Sequence, residues 1–277
     1  MKGYEDGIYN PVLAEARHQF QRSTQKPHRK IDAQLWKVIQ SKLALRWSPE
    51  QISRYLAEET SETTVCAKTI YTHIAFHMKG ELKKLALQDL RQRGKTRKSS
   101  QKGDNRGKLK NITLIDERPP EIESREVPGH WEGDLIIGSN HQSALLVTVE
   151  RKTRFVQIDL LLEYDALTVR KTLEKQFKKL QPEIRKTITV DQGKENSDHE
   201  ELSKKLKIDV YFCHPHSPWE KGTCENTNFL IRDMLNGEKD FRKLDQRYVS
   251  RIARLLNERP RQTLNWKTPK QAFENLR

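Results

Sequence analysis

The hydrophobic positions of this 277-residue chain follow two different patterns. In the first third, apolar residues recur three or four positions apart, which is typical of amphipathic helices. Ser48 followed by Pro49 supplies an N-cap and a proline in the first turn, so one helix is predicted to begin near Pro49. The apolar positions of the first two predicted helices are Ile31, Leu35, Val38, Ile39 and Leu43, and then Ile52, Tyr55 and Leu56.

Residues 68–78 form a third predicted helix, whose apolar residues are Ile70, Tyr71, Ile74 and Phe76. Three short helices favour a helix-turn-helix-like module over residues 31–90. Such modules often bind proteins, and the pattern alone leaves protein binding and DNA binding open. If the module binds DNA, the third helix is the natural groove reader, through residues near its start: Lys68, Thr69, Thr72 and His73.

The second pattern begins near residue 134, where short apolar runs rich in Val, Ile, Leu and Phe predict β-strands. The runs are LIIG, SALLVTVE, FVQIDLLL, TITVD and DVYFC. Short turns separate the first three, as hairpins allow, and helical stretches at 165–180 and 197–206 separate the later ones. We therefore expect an α/β fold with a mixed sheet and helices packed against it.

Charge indicates a polyanionic partner. Lys and Arg number 52 against 38 Asp and Glu, which leaves a net charge of +14. Nine of the twenty residues at 91–110 are basic, including Arg97 and Lys98, so this stretch resembles a flexible arm that binds DNA phosphates. The alternatives are a solvated linker for this stretch, and a lysine excess that only aids solubility.

These observations predict a domain order. We expect a basic segment at 1–30, the helical module at 31–90, a basic linker at 91–120 and a catalytic domain at 121–277. The chain contains no run of about 18 apolar residues and no signal-peptide pattern, so we expect a cytoplasmic, nucleoid-associated protein without a membrane partner.

Three cysteines without a CxxC pair indicate reduced thiols rather than a disulfide framework. A zinc site is a weaker alternative. Its ligands would be Cys213, His214, His216 and Cys224, but their spacing matches no zinc finger, and prolines lie among them.

Two aspartates stand in or beside the predicted strands. Asp134 opens the apolar run in WEGDLIIG, and Asp191 ends TITVD. Aspartate is depleted in strands and costly to bury without a partner, so metal binding would explain both positions. Either aspartate alone is more often a turn former at the end of a strand.

The third acid is Glu225, which is predicted to begin a helix with Asn228, Phe229 and Arg232 on its face. By itself it would be an ordinary glutamate near a helix start. Together, the three carboxylates suit Mg²⁺ or Mn²⁺ better than zinc. Two such ions about 3.5–4 Å apart can hold the attacking and leaving oxygens of a phosphoryl displacement. We expect Lys221, Asn228 and Arg232 to contact DNA.

With these residues, the chain resembles the DDE transposases of bacterial insertion sequences, specifically the insertion sequence 30 family. The resemblance covers roughly residues 45–275, and the block from His214 to Arg232 is its most specific part. The matching segments are SPEQI, KTIYTHI, GHWEGDLIIG, LLVTVERKTRF, TVDQGKE, YFCHPHSPWEKGTCENTNFLIR and LNERPRQTLNWKTPKQAF.

The resemblance implies a ribonuclease H-like core of the retroviral integrase type, in which Asp134, Asp191 and Glu225 are the acidic triad that holds the metals. It also implies that metal-activated water nicks the end of the element and that the freed 3′ hydroxyl attacks target DNA. Joining two ends of an element calls for at least two protomers, so we expect a homodimer or larger complex on double-stranded DNA.

The chain departs from the family pattern in three ways. The family usually continues N-terminally into another helix-turn-helix that binds the terminal repeats, and we expect this chain to lack it. The departures within the core are Gln192 and Asn196, where Asn and Phe are usual, and Cys224 and Phe229, where Asn and Gly are commoner. We expect Gln192 and Asn196 to loosen the metal geometry, and we expect activity to be reduced more readily than abolished.

Two other functions remain open at the level of sequence. One is a catalytically silent DNA-binding protein left from a transposon, and the other is a metal-dependent nuclease without strand transfer. The retained triad argues against the first, and the block PHSPWEKGT does not favour the second.

Overall fold

The computed structural model describes residues 4–5, 8–9, 15, 31–59, 65–77, 109–215 and 217–276. Contacts divide the chain into two compact units, Met1–Arg93 and Gly94–Arg277. Arg97 and Lys98 of the predicted arm lie outside the described residues, as does most of the segment 1–30.

The described residues of the first unit form a two-stranded pairing and three short helices. Asp32 caps the first helix by accepting from the Leu35 amide at 2.7 Å. Ser48 and Gln51 exchange backbone and side-chain hydrogen bonds at the start of the second helix, which confirms the predicted beginning at Pro49. The elements are β1 Tyr4–Glu5, β2 Ile8–Tyr9, α1 Ala33–Ala44, α2 Pro49–Glu59 and α3 Ala67–Thr72.

The third predicted helix differs from the expectation. The α-helix ends at Thr72 and continues as a π-helical turn, His73–His77. Ile70 and Ile74, four residues apart, are buried in the core of the unit, whereas Tyr71 and Phe76 are 42% and 77% exposed. Tyr71 and Phe76 lie off the packed face, because neither α-helical nor π-helical spacing brings them onto the stripe of the two isoleucines.

The second unit is built on a six-stranded mixed sheet, which confirms the predicted α/β class. The sheet runs in the order β3-β8-β7-β4-β5-β6. Strands β4, β5 and β6 are antiparallel, as predicted for hairpins, while β4, β7, β8 and β3 run parallel. The strands are β3 Thr113–Leu114, β4 His130–Ile137, β5 Ala144–Glu150, β6 Val156–Leu161, β7 Thr187–Val190 and β8 Asp209–Phe212.

Helices cover both faces of this sheet. The core on one face joins side chains of α4 and α5 to those of the strands, and the core on the other face does the same with α6 and α7. Covering both faces explains why every residue of β5 is buried. The helices are α4 Ala166–Phe177, α5 His199–Leu206, α6 Gly222–Met234, α7 Gln246–Asn257 and α8 Pro269–Glu274.

Two sequence-based boundaries change. Strand β4 begins at His130, so Asp134 lies in the middle of a strand, opposite Val147, and not at its head. The polar residues before Asp134 hid this start, because buried Glu132 breaks the apolar pattern. Strand β3 lies inside the predicted linker 91–120, since its backbone pairs with β8 and so joins the sheet. No helix among the described residues is long and apolar enough to span a membrane.

Strand β6 is an edge of the sheet, and side-chain amides of α7 occupy its outer backbone groups. Asn257 accepts from the Val156 amide at 2.9 Å and donates to the Val156 carbonyl at 2.8 Å. Gln246 accepts from the Leu160 amide at 2.8 Å and donates to the Ile158 carbonyl at 3.1 Å. These two residues, the edge amides, lie eleven positions apart on one helix. Their side chains hydrogen-bond to the outer backbone groups of β6, as a neighbouring strand would.

The cysteines have different environments. Cys66 is exposed, whereas Cys213 and Cys224 are buried. Burial raises the pKa of the Cys213 thiol to about 12 and also raises the pKa of the Cys224 thiol above its ordinary value. Both buried thiols are therefore neutral at physiological pH.

Candidate active site

The two predicted aspartates lie side by side on neighbouring parallel strands. Glu132 of β4 pairs with Thr189 of β7. Two residues further along each strand, the same register brings Asp134 level with Asp191, which directly follows β7. Their side chains are 26% and 39% exposed. The sheet thus places two carboxylates next to each other at its surface.

Lys221 extends a buried side chain between these carboxylates. Its Nζ donates to Asp134 Oδ1 at 2.9 Å and to the Gly133 carbonyl at 3.2 Å, and it lies 3.8 Å from Asp191 Oδ2. Burial alone would lower the pKa of this amine, but the charges of Asp134 and Asp191 outweigh burial and raise the pKa above its ordinary value. Lys221 is therefore a charged ammonium in the middle of the site.

Two residues that flank Glu225 along the chain, Lys221 and Asn228, lie against Asp134. Asn228 Nδ2 donates to Asp134 Oδ2 at 2.6 Å. Lys221, the N-cap residue of α6, comes four residues before Glu225, and Asn228 comes three residues after it. Glu225 itself lies in the first turn of α6 and is exposed, and its approach to the two aspartates stays a prediction.

The described residues contain no preformed group of three metal-ligating side chains. Lys221 and Asn228 already occupy both oxygens of Asp134. The donor set nevertheless fits a divalent ion. A cation already lies between the two aspartates, and Asn228 Oδ1 is a buried oxygen without a hydrogen-bond partner among the described residues. Carboxylate and amide oxygens are ligands that Mg²⁺ accepts.

The loop after Asp191 holds that carboxylate in place. Asp191 Oδ1 accepts from the Gly193 amide and from Asn196 Nδ2, both at 3.1 Å. Asn196 also donates to the Asp191 carbonyl, and Gln192 donates to the Cys213 carbonyl at 3.0 Å. The two departures from the family pattern thus add hydrogen bonds around Asp191. The expectation that they loosen the site finds no support in this geometry.

A buried carboxylate that sequence reasoning missed lies behind the site. Glu132 is fully buried, and its Oε2 accepts from the Cys224 amide in the first turn of α6 at 2.8 Å. Its other oxygen lies 3.5 Å from the guanidinium of Arg151, which is also buried. Burial lowers the pKa of Arg151, and the Glu132 charge opposes that shift. Glu132 therefore connects β4 to the helix that carries Glu225.

The sequence feature that could have identified Glu132 is its position two residues before Asp134. Alternate residues of a strand share a face, so an acid at that spacing points to the same helix. A second buried arginine, Arg118, donates to Thr189 Oγ1 at 3.2 Å and pairs with Glu123. Desolvation and the neighbouring Arg151 lower the pKa of Arg118 to about 10.

The loop before α6 is held by a histidine between two acids. His214 contacts Glu220 Oε1 through Nδ1 and Asp116 Oδ2 through Nε2, both at 2.9 Å. The hydrogen bond with Glu220 raises the pKa of His214 above its ordinary value, and Asp116 adds to that effect. Both ring nitrogens of His214 therefore already contact carboxylates, so in this arrangement neither is available as a ligand for the alternative zinc site. His216, another ligand of that alternative, lies outside the described residues.

The predicted DNA contacts fall into different environments. Lys221 and Asn228 are buried against Asp134, so neither is free to bind DNA in this arrangement. Arg232, Lys68 and Thr72 are exposed, and Thr69 is half-buried beside Cys66. Two aromatic side chains near Glu225 are also exposed, Trp219 at 71% and Phe229 at 53%.

Comparisons with known proteins show which sequences this chain is similar to. The sequence model of one family, described as the integrase core domain, matches residues 124–218. The chain is 39% identical to the transposase for insertion sequence element IS1086 of Cupriavidus metallidurans, over 98% of this chain and 81% of that relative. It is 38% identical to transposase InsI for element IS30A of Escherichia coli K12, over 87% of this chain and 64% of that relative.

Among solved structures, the catalytic core domain of BIV integrase matches 53% of this chain and 95% of its own length, with 20% identity and a TM-score of 0.43.

Proposed function

Because this chain belongs to the insertion sequence 30 family of transposases, we propose that it cuts DNA at the ends of an insertion sequence and joins those ends to target DNA. The observation that carries the proposal is that Lys221 and Asn228, which flank Glu225 along the chain, both contact Asp134 where β4 and β7 run side by side. Three carboxylates gathered at this point would supply hard oxygen donors suited to phosphoryl transfer.

Asp134, Asp191 and Glu225 are the proposed ligands of Mg²⁺ or Mn²⁺, with two ions expected. When bound, such ions would neutralise charge on the phosphate and lower the pKa of the attacking water. The chain itself orients the ligands. Asn228 holds one oxygen of Asp134, while the Gly193 amide and Asn196 hold one oxygen of Asp191.

We assign DNA binding to residues outside this centre. Arg232, two turns along α6 from Glu225, would contact phosphates next to the cut, since residues at that spacing share a helix face. Lys68, Thr69 and Thr72 would contact duplex DNA through the helical module, and Arg97 and Lys98 through the basic arm. We also propose that two or more protomers act together, because two element ends must be joined.

The test is cleavage and joining of a labelled duplex that carries the element's terminal sequence and its flank, with Mg²⁺. Asp134→Asn, Asp191→Asn and Glu225→Gln each remove one charge with little change of shape. We expect each to lower the rate of both reactions by at least about a hundredfold, the size of effect expected for loss of metal-based charge stabilisation. Glu163→Gln, at an exposed acid after β6, is the matched control and should leave the rates unchanged.

Binding of the same duplex separates the competing functions. Wild-type protein that binds the duplex but neither cuts nor joins it, with or without Mg²⁺, would be a catalytically silent DNA binder. Cleavage without joined products would identify a nuclease. Cutting and joining that depend on all three acids, while binding persists in the variants, identify a transposase that is active on DNA.

A further inference from the structure

Lys221 does not lie where a residue that contacts DNA is expected to lie. Its side chain is only 9% exposed, and its ammonium group lies within 4 Å of three oxygens, on Asp134, Gly133 and Asp191. A lysine this deeply buried is unusual unless it is paired. Here it pairs with two of the three proposed metal ligands.

The ammonium group and a divalent ion compete for the same space. Mg²⁺ binds oxygen ligands at about 2.0–2.1 Å and demands a near-octahedral shell. An ammonium 2.9 Å from Asp134 Oδ1 would then stand next to the ion. Two like charges that close repel strongly, even at the effective dielectric constant near a protein surface. Both cannot keep these positions.

We propose that Lys221 is a tethered cation that competes with the divalent ion for Asp134 and Asp191, so that ion binding requires release of the lysine. This inference rests on the proposed function, because it takes Asp134 and Asp191 to be metal ligands. It assigns to Lys221 the task of setting how tightly the site binds its ion.

The ligands are built to stay in place when Lys221 leaves. Asp134 keeps the hydrogen bond from Asn228, and Asp191 keeps those from the Gly193 amide and Asn196. Lys221 itself stands at the N-terminal end of α6, on a flexible four-carbon side chain. Once released, its ammonium group is free to pair with a DNA phosphate. Release therefore links ion binding to the DNA contact expected from the sequence.

Calorimetric titration of Mg²⁺ into the 277-residue protein, without DNA, tests the competition. Lys221→Met removes the charge and keeps most of the side-chain length. We expect its Kd for Mg²⁺ to be at least about tenfold lower than that of the wild type, since the ion no longer displaces a charged competitor. Lys204→Met, at an exposed lysine of α5, removes the same charge elsewhere and should leave the Kd unchanged.

Amine labelling tests release in the wild-type protein and does not depend on the folding of any variant. A short exposure to an acylating reagent, followed by mass spectrometry of peptides, measures the reactivity of each lysine. We expect Lys221 to react slowly without Mg²⁺ and several-fold faster with saturating Mg²⁺, because its amine then leaves the buried pair. The reactivity of Lys204 should not change.

The outcomes separate this inference from the proposed function. An unchanged or higher Kd in Lys221→Met, or labelling of Lys221 that does not respond to Mg²⁺ in a wild type that binds it, would overturn the competition and leave the metal site standing. If Asp134→Asn binds Mg²⁺ as tightly as the wild type, or the wild type binds none, the proposed metal site itself fails.

Discussion

At the residue scale, the buried acid Glu132 shows how one charge can connect the strand and the helix of a candidate active site. Its carboxylate satisfies a first-turn amide of α6 and lies next to the buried guanidinium of Arg151. A buried charge loses its hydration, so it is tolerated only with such partners. Glu132 is accordingly a positioning residue, which connects the strand of Asp134 to the helix of Glu225.

Replacing Glu132 should therefore destabilise the second unit. Glu132→Leu leaves the Cys224 amide and the Arg151 charge without this partner, and we expect a loss of about 3–5 kcal/mol in the free energy of unfolding. Glu132→Gln keeps an acceptor for the amide and should lose less. Urea denaturation of both variants, with the exposed Glu163→Gln as control, measures the difference. Equal stability of Glu132→Leu and the wild type would refute this role.

Single residues also show which features of the site could not be predicted from the sequence. Asp134, Asp191 and Glu225 were each ordinary when taken alone, and the resemblance to a transposase family singled them out as a triad; their role as metal ligands stays a prediction. Lys221 and Asn228 were expected at DNA but lie against Asp134. Their position depends on how α6 packs on the sheet, and helical periodicity contains no information about the depth or register of that packing.

At the element scale, the edge amides predict a testable contribution to stability and solubility. Asn257→Ala removes both partners from the backbone of Val156, and each buried group left unsatisfied costs about 1–3 kcal/mol. We expect the free energy of unfolding to fall by about 2–4 kcal/mol. The freed strand edge should also promote association between molecules, because exposed edges pair with other strands.

Urea denaturation and light scattering measure these two effects. Arg251→Gln, at an exposed position of the same helix, is the control and should change neither. An Asn257→Ala protein as stable as the wild type would show that the pairing of α7 with β6 contributes little.

For the second unit, the sequence predicted which strands exist better than it predicted where they begin and end. Apolar runs identified β5, β6, β7 and β8 because the sheet is covered on both faces. The start of β4 was missed, since the buried Glu132 and the glycine after it interrupt the apolar pattern. In the first unit, the π-helical turn after Thr72 was missed because propensity patterns assume regular helical spacing.

At the scale of the whole molecule, the net charge of +14 predicts that DNA binding weakens steeply as salt rises. Each neutralised phosphate contributes about 0.9 to the slope of log affinity against log salt. Replacing Arg97 and Lys98 with glutamine should therefore reduce that slope by about two and weaken binding equally on all sequences. Fluorescence anisotropy over a salt series measures both quantities.

A matched control for the arm is Lys171→Gln together with Lys204→Gln, which removes two exposed charges elsewhere on the molecule. An unchanged slope for the arm variant would show that Arg97 and Lys98 do not meet phosphates. A change confined to one DNA sequence would instead indicate base recognition.

The contrast among the three cysteines makes the unmodified chain suitable for single-site spectroscopy. Maleimides react with thiolates, and burial together with a raised pKa keeps Cys213 and Cys224 in the unreactive thiol form. The exposed Cys66 caps the helix that carries Lys68 and Thr69. A fluorophore or spin label added to the wild-type protein would therefore attach beside the proposed groove-reading residues and report DNA binding there without any substitution.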